Sequence, residues 1–158
     1  MDGEIRQLLF LIDTAYDHVS WHGTNLRGSL RGITPKQAAW RPGPRRHNIW
    51  ELVVHAAYWK YVAWRRLTGA ARGSFAENGS NWFERSTDIT TKAWQADLRV
   101  LAETHRTLRA AVAELDSRTL DRPLGRNSRT TSRALVTGVA AHDIYHGGQI
   151  QLLKRLSR

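Results

Sequence analysis

Along the chain, apolar residues return every third or fourth position, and no stretch alternates with period two over a useful length, so the pattern predicts helices and no strands. Leu8, Ile12, Ala15, Val19 and Leu26 predict a first helix from about Glu4 to Leu30, after which the glycines and prolines of "GITPKQAAWRPGPRRHN" break the run. A second helix is predicted to start at the N-cap Asn48, with Glu51 completing a capping box, and to stop at Gly69, with Leu52, His55, Trp59 and Val62 on its inner stripe. Residues 70–90 have no helical period and are too long for a simple turn, so they read as a crossover or as a loop over a site. A third helix, about Thr91 to Leu115, carries Trp94, Leu98, Leu101, His105, Leu108, Val112 and Leu115. A fourth, about Thr130 to Leu156, carries Leu135, Val139, His142, His146, Gln149, Leu153 and Leu156 on one seam.

Four long amphipathic helices without strands predict an all-α four-helix bundle. The 158 residues, 41% of them hydrophobic, fit a single domain spanning 1–158. The longest apolar runs fall short of the 18 or so residues a membrane span needs. The N-terminal "MDGEIRQLLFLIDTAY" has acidic residues ahead of its short apolar stretch and no small-residue cleavage site, so the chain is expected in the cytoplasm and away from membranes.

Charge and cysteine count narrow the chemistry. The formal charge is +10, and only Lys36, Lys60, Lys92 and Lys154 among the 24 basic residues are lysines. The arginines are spread along the chain with no nucleic-acid motif beside them, so a nucleic-acid partner is not expected. Cysteine is absent, which excludes disulfides, iron–sulfur clusters and a catalytic thiol of the protein's own.

The histidines stand where leucines are expected. His55, His142 and His146 each occupy a seam position with apolar neighbours a turn away, and an unpaired buried imidazole costs a few kcal/mol. His142 and His146 are four residues apart, about one turn on the same face, so both can reach one metal ion. At a rise of about 1.5 Å per residue, His55 lies about 10 Å and His146 about 15 Å from the same end of an antiparallel pair. The three are therefore read as ligands of one divalent ion. His22, about 12 Å from that end of the first predicted helix, is the candidate catalytic base. His105 is read as a core residue bonded to a carbonyl or carboxylate, and His18 and His47 as residues near loops without a role. "HDIYH" also invites comparison with the H-E-x-x-H zinc-protease helix, but no downstream protease ligand pattern follows, and Asp143 is expected to face solvent or pair with an arginine.

Gly147 and Gly148 together cost a helix interior about 2 kcal/mol relative to alanine, which predicts close approach of a neighbouring helix, a partner subunit or a ligand beside them. Gln149, one turn beyond the pair, is placed to orient a ligand histidine. Trp21 and Trp82 are candidate pocket walls.

"IWELVVHAAYWK" and "AAHDIYHGGQIQLLKR" resemble the two signature segments of the DinB-like, YfiT-related superfamily of metal-dependent enzymes, and the similarity extends over most of the chain in order and spacing. The resemblance implies an up-down-down-up connection, a homodimer, and His55, His142 and His146 around zinc or nickel. It also implies chemistry of the kind found in thiol-dependent isomerases and S-transferases. Three protein ligands leave an open position, the arrangement of catalytic sites. The leading expectation is thus a metal-dependent hydrolase or small-thiol S-transferase acting on a small molecule, with any thiol supplied as a cosubstrate. The alternatives are a non-catalytic metal-binding stress or interaction protein and, behind it, a basic nucleic-acid module.

Overall fold

The computed structural model describes residues 2–85 and 88–157. Among them the secondary structure is helical: α1 (Gly3–Tyr16), α2 (Leu26–Ser29), α3 (Pro35–Ala39), α4 (Ile49–Thr68), α5 (Thr91–Ala113) and α6 (Ser132–Leu156), with one 3-10 turn at Ser117–Thr119 and an isolated bridge between Pro123 and Thr131. None of the described helices is long and apolar enough to cross a membrane.

Local chemistry sets the ends of these helices. Asn48 accepts from the Glu51 amide, the Glu51 carboxylate reaches back to the Asn48 amide, and Gly69 closes α4 in the left-handed conformation at φ 71°. The predicted first helix, in contrast, stops at Tyr16. The Asp17 and His18 amides both turn back to the Asp13 carbonyl, Gly23 takes φ 97°, and Asn25 caps α2 by accepting from the Gly28 amide. Val19, which extended the apolar period, is 97% exposed. The Pro-rich stretch likewise contains a helix the period did not reveal: α3, capped by the reciprocal Thr34–Gln37 box.

The four long helices pack in pairs, α4 against α5 and α6, and α1 against the other faces of α5 and α6. One apolar cluster gathers Leu52, Val53, Trp94, Leu101, Ile150 and Leu153 around the first half of α4. A second joins Ile5, Leu9, Ala63, Leu108, Val136 and Ala140 at the opposite end. Between them lies a polar layer, and it corrects the expected seam of α6. The buried stripe runs Val136, Val139, Asp143, His146, Ile150 and Leu153, while Leu156 is exposed. Asp143 therefore does not face solvent or meet an arginine. It is buried against Lys60 of α4, with both side chains 1% exposed, because each charge supplies the partner that lets the other leave water.

Candidate metal centre

The N-terminal half of α4 brings His55, and the middle of α6 brings His142 and His146, to one point. The Nε2 atom of His142 lies 3.0 Å from Nε2 of His55 and 3.0 Å from Nε2 of His146. The ligand atoms of all three lie within 4.8 Å of one another.

Proton counting shows what this convergence requires. His55 Nδ1 is 2.7 Å from the backbone carbonyl of Asn81, which can only accept, so His55 carries its proton on Nδ1 and presents a lone pair at Nε2. His146 donates from Nδ1 to Oε1 of Gln149 at 2.6 Å, and its Nε2 is likewise a lone pair. His142 sits between these two acceptors with one proton at most to offer when neutral, and its own Nδ1 is buried without a partner among the described residues. A cation among the three Nε2 atoms satisfies all of them. Separations near 3 Å suit ligands that each lie about 2 Å from one ion. The donor set, three imidazoles without thiolate or carboxylate, suits zinc, nickel, copper or iron(II) rather than calcium or magnesium.

Electrostatics keep the rings ready for such an ion. Burial pulls His55 down to about 4, opposed by its bond to Asn81 and helped by His146. Burial likewise takes His142 to about 3, with His146, His55 and Lys60 adding to the shift, and lowers His146. At neutral pH all three are uncharged, the form that binds metal.

The segment after α4 builds one wall. Trp82 stacks on the face of His55 with centroids 3.8 Å apart. The preceding Asn81 holds φ 67°, a left-handed conformation that aims its carbonyl at His55 while its side chain accepts from Trp59 Nε1 at 3.0 Å. The expected loop over a site is thus present in its described parts, residues 70–85 and 88–90; Ser86 and Thr87 lie outside the described residues.

Two residues that the sequence reading passed over complete the wall. His47 stacks on the other face of Trp82 at 3.5 Å, so Trp82 is sandwiched between His47 and His55. Nδ1 of His47 lies 3.1 Å from Oε2 of Glu51. Burial works to raise the Glu51 carboxyl, but the bonds from Arg41 and His47 hold it below its usual range. Neither residue was legible as functional: His47 sits in an aperiodic segment, and Glu51 already has a role as a capping residue.

His22 and Trp21 do not join this group. With α1 ended at Tyr16, both stand in the turn between α1 and α2, exposed to solvent, Trp21 at 103%. His105 stays in the core as expected, stacked on Tyr16 at 3.8 Å with Nε2 4.0 Å from an Asp13 carboxylate oxygen, while its Nδ1 lacks a partner among the described residues. Gly147 is approached by the Asn25–Leu26 backbone, which an added Cβ would meet at 3.7 Å, whereas Gly148 faces open space. The compensation expected for the glycine pair therefore exists for the first and is absent among the described residues for the second.

Beside His146 and Gln149 a cavity of about 410 Å³ opens, lined on its apolar side by Leu52, Leu152 and Leu153 and reaching His47 and Trp82. The family model of the DinB superfamily matches residues 18–150, a span that includes every residue of the centre. No curated protein and no solved structure matches the chain.

Proposed function

Since the chain belongs to the DinB superfamily, we propose that it is a divalent-metal-dependent enzyme, a hydrolase or a transferase that uses a small cellular thiol, with His55, His142 and His146 holding zinc or nickel. The observation that carries this reading is the meeting of three Nε2 atoms of which two must be lone pairs. Such an ion supplies Lewis acidity, lowering the pKa of a water or thiol that shares it.

The protein's own residues do the rest. Asn81 and Gln149 fix the rings of His55 and His146 by accepting their Nδ1 protons. Trp82 covers His55 and keeps water off that face. With Nδ1 donating to Glu51, His47 has an Nε2 beside the cavity without a partner among the described residues, and it takes the place assigned to His22 as the group that accepts a proton from the nucleophile. The chain contains no cysteine, so the transferase version draws its thiol from solution, which fits a cytoplasmic protein in contact with reduced small thiols.

The packing of α1, α4, α5 and α6 supports the up-down-down-up bundle. Trp50 bonds Asp97 near the starts of α4 and α5, Glu4 pairs with Arg133 near the starts of α1 and α6, and α1 runs against α5, since Asp13 pairs with Arg109 while Tyr16, three residues further on, stacks on His105, four residues further back. The exposed Ile144, Gly148, Leu152 and Leu156 on one side of α6 support a homodimer through that face.

The test is metal content and exchange. Protein purified without chelator is expected to hold about one zinc or nickel ion per chain, and His55→Ala, His142→Ala and His146→Ala to hold none. Cobalt-substituted protein is expected to change its visible spectrum when small thiols are added. Absence of stoichiometric metal in the wild type overturns the proposal, and a cobalt spectrum indifferent to every thiol removes the transferase version.

A further inference from the structure

Resting on that reading of the centre, we infer that the substrate class is an amphipathic carboxylate: an apolar chain or ring lying in the cavity beside His146, with its anionic end held by Arg46. The apolar cavity lined by Leu52, Leu152 and Leu153 does not end at the metal centre. It shares Arg46, His47 and Trp82 with a neighbouring cavity of about 490 Å³ whose other side is formed by Arg41 and Arg45. A ligand in the first cavity therefore meets both His146 of the imidazole cluster and a basic rim at Arg46.

The basic residues of this rim are not equivalent. Arg41 is already committed: it donates from both terminal nitrogens to the Glu51 carboxylate and from one of them to the Arg46 carbonyl. Glu84, the remaining acid of the neighbouring cavity, adds to the field on Arg41. The guanidinium groups of Arg45 and Arg46 have no ion pair or hydrogen bond among the described residues. Among the described residues Arg46 is also the only arginine lining the cavity beside His146. Its backbone is held by a hydrogen bond from its amide to the Gly43 carbonyl at 3.1 Å, in a turn that contains Pro44 and follows Pro42. A guanidinium fork, unpaired among the described residues and carried on a held backbone at the mouth of an apolar cavity, suits a carboxylate that it can bind with two parallel bonds. A neutral ligand of the same shape leaves that fork unused.

Two measurements separate this inference from the metal reading. In the first, metal-free protein in chelator is titrated calorimetrically with 4-phenylbutyrate and with 4-phenylbutanol. The carboxylate is expected to bind about tenfold more tightly. Arg46→Gln should abolish that advantage while leaving the alcohol's affinity unchanged, and Arg46→Glu should reverse it. In the second, cobalt-loaded protein is titrated with 6-mercaptohexanoate and 6-mercaptohexanol while thiolate-to-cobalt absorption is followed, with the same preference and the same dependence on Arg46 expected. If cobalt is not taken up, the metal reading fails and the first titration still decides on the carboxylate. Equal affinities for acid and alcohol, no detectable binding of either, or a preference that survives Arg46→Glu overturns the inference.

Discussion

Replacing Lys60 by methionine tests whether the polar layer between the two apolar clusters is an ion pair that each partner makes tolerable. Lys60 and Asp143 are each 1% exposed and bonded to one another, Lys60 lies 5.1 Å over the Tyr16 ring, and the second oxygen of Asp143 has no partner among the described residues. Burial pushes the Asp143 carboxyl upward and Lys60 opposes it by charge and hydrogen bond. In Lys60→Met the carboxylate keeps its burial and loses its only compensation among the described residues. Breaking a buried pair in this way costs about 3–5 kcal/mol, whereas replacing both members by apolar residues of similar volume is about neutral or stabilising. For a chain of this length a loss of that size lowers the melting temperature by roughly 10 °C.

The assay is urea unfolding of the metal-free protein, for wild type, Lys60→Met, Asp143→Leu and the double variant. Both single variants are expected to lose several kcal/mol, and the double variant to recover most of the loss. Because the pair joins α4 to α6 directly beside His142, the double variant should also show whether the charge pair matters to the centre: cobalt affinity stays within a few-fold of wild type if the pair serves packing alone. A double variant as unstable as the sum of the two singles, or a Lys60→Met loss below about 1 kcal/mol, refutes the reasoning.

Other consequences are open to direct measurement. In the metal-free protein His55 and His142 are held neutral at about 4 and 3 against an ordinary value of 6.5, and His146 and His105 are lowered as well. The unfolded chain thus binds more protons below pH 6.5, and stability should fall from pH 6.5 to about 4, by at most about 1.4 kcal/mol per pH unit for each ring; a flat profile by denaturant titration contradicts the burial. Gly148→Ala should raise stability by up to about 1 kcal/mol in the monomer, since an added Cβ meets nothing within 4 Å; a lower melting temperature, or loss of a dimer in gel filtration, would show that a second chain occupies that face. Asn81→Gly should keep the left-handed backbone and the bond to His55, whereas Asn81→Ala should cost about 1–2 kcal/mol and weaken metal binding, as read by cobalt titration.

The helices and the imidazole trio were legible because a helix encodes its inner face in a period, and three histidines falling on that period are conspicuous. The period also misled. Leu26 continued the first run in register by coincidence, and nothing in the apolar pattern marks the point where the Asp17 and His18 amides turn back to Asp13. On α6, apolar spacing placed the seam about one position away from the buried stripe, because Asp143 was read as polar and therefore outward. A charged residue on a buried stripe can be recognised only together with its partner, and Lys60 is 83 positions away along the chain.

The aperiodic segments around the site explain why its outer parts escaped a sequence reading, and they also say where its specificity is set. The three histidines of the candidate centre stand on α4 and α6, which pack between the two apolar clusters. The residues that orient or cover those histidines from outside the helices, Asn81, Trp82 and His47, stand on connections whose conformations depend on single contacts. Trp82 is clamped between an imidazole that belongs to the centre and one that belongs to the Pro-rich turn, so movement of that turn is transmitted to the wall over His55. Arg46, the residue inferred to choose the substrate, is on the same turn, immediately before His47. A ligand held by Arg46 therefore lies beside His47, the residue stacked on the wall over His55.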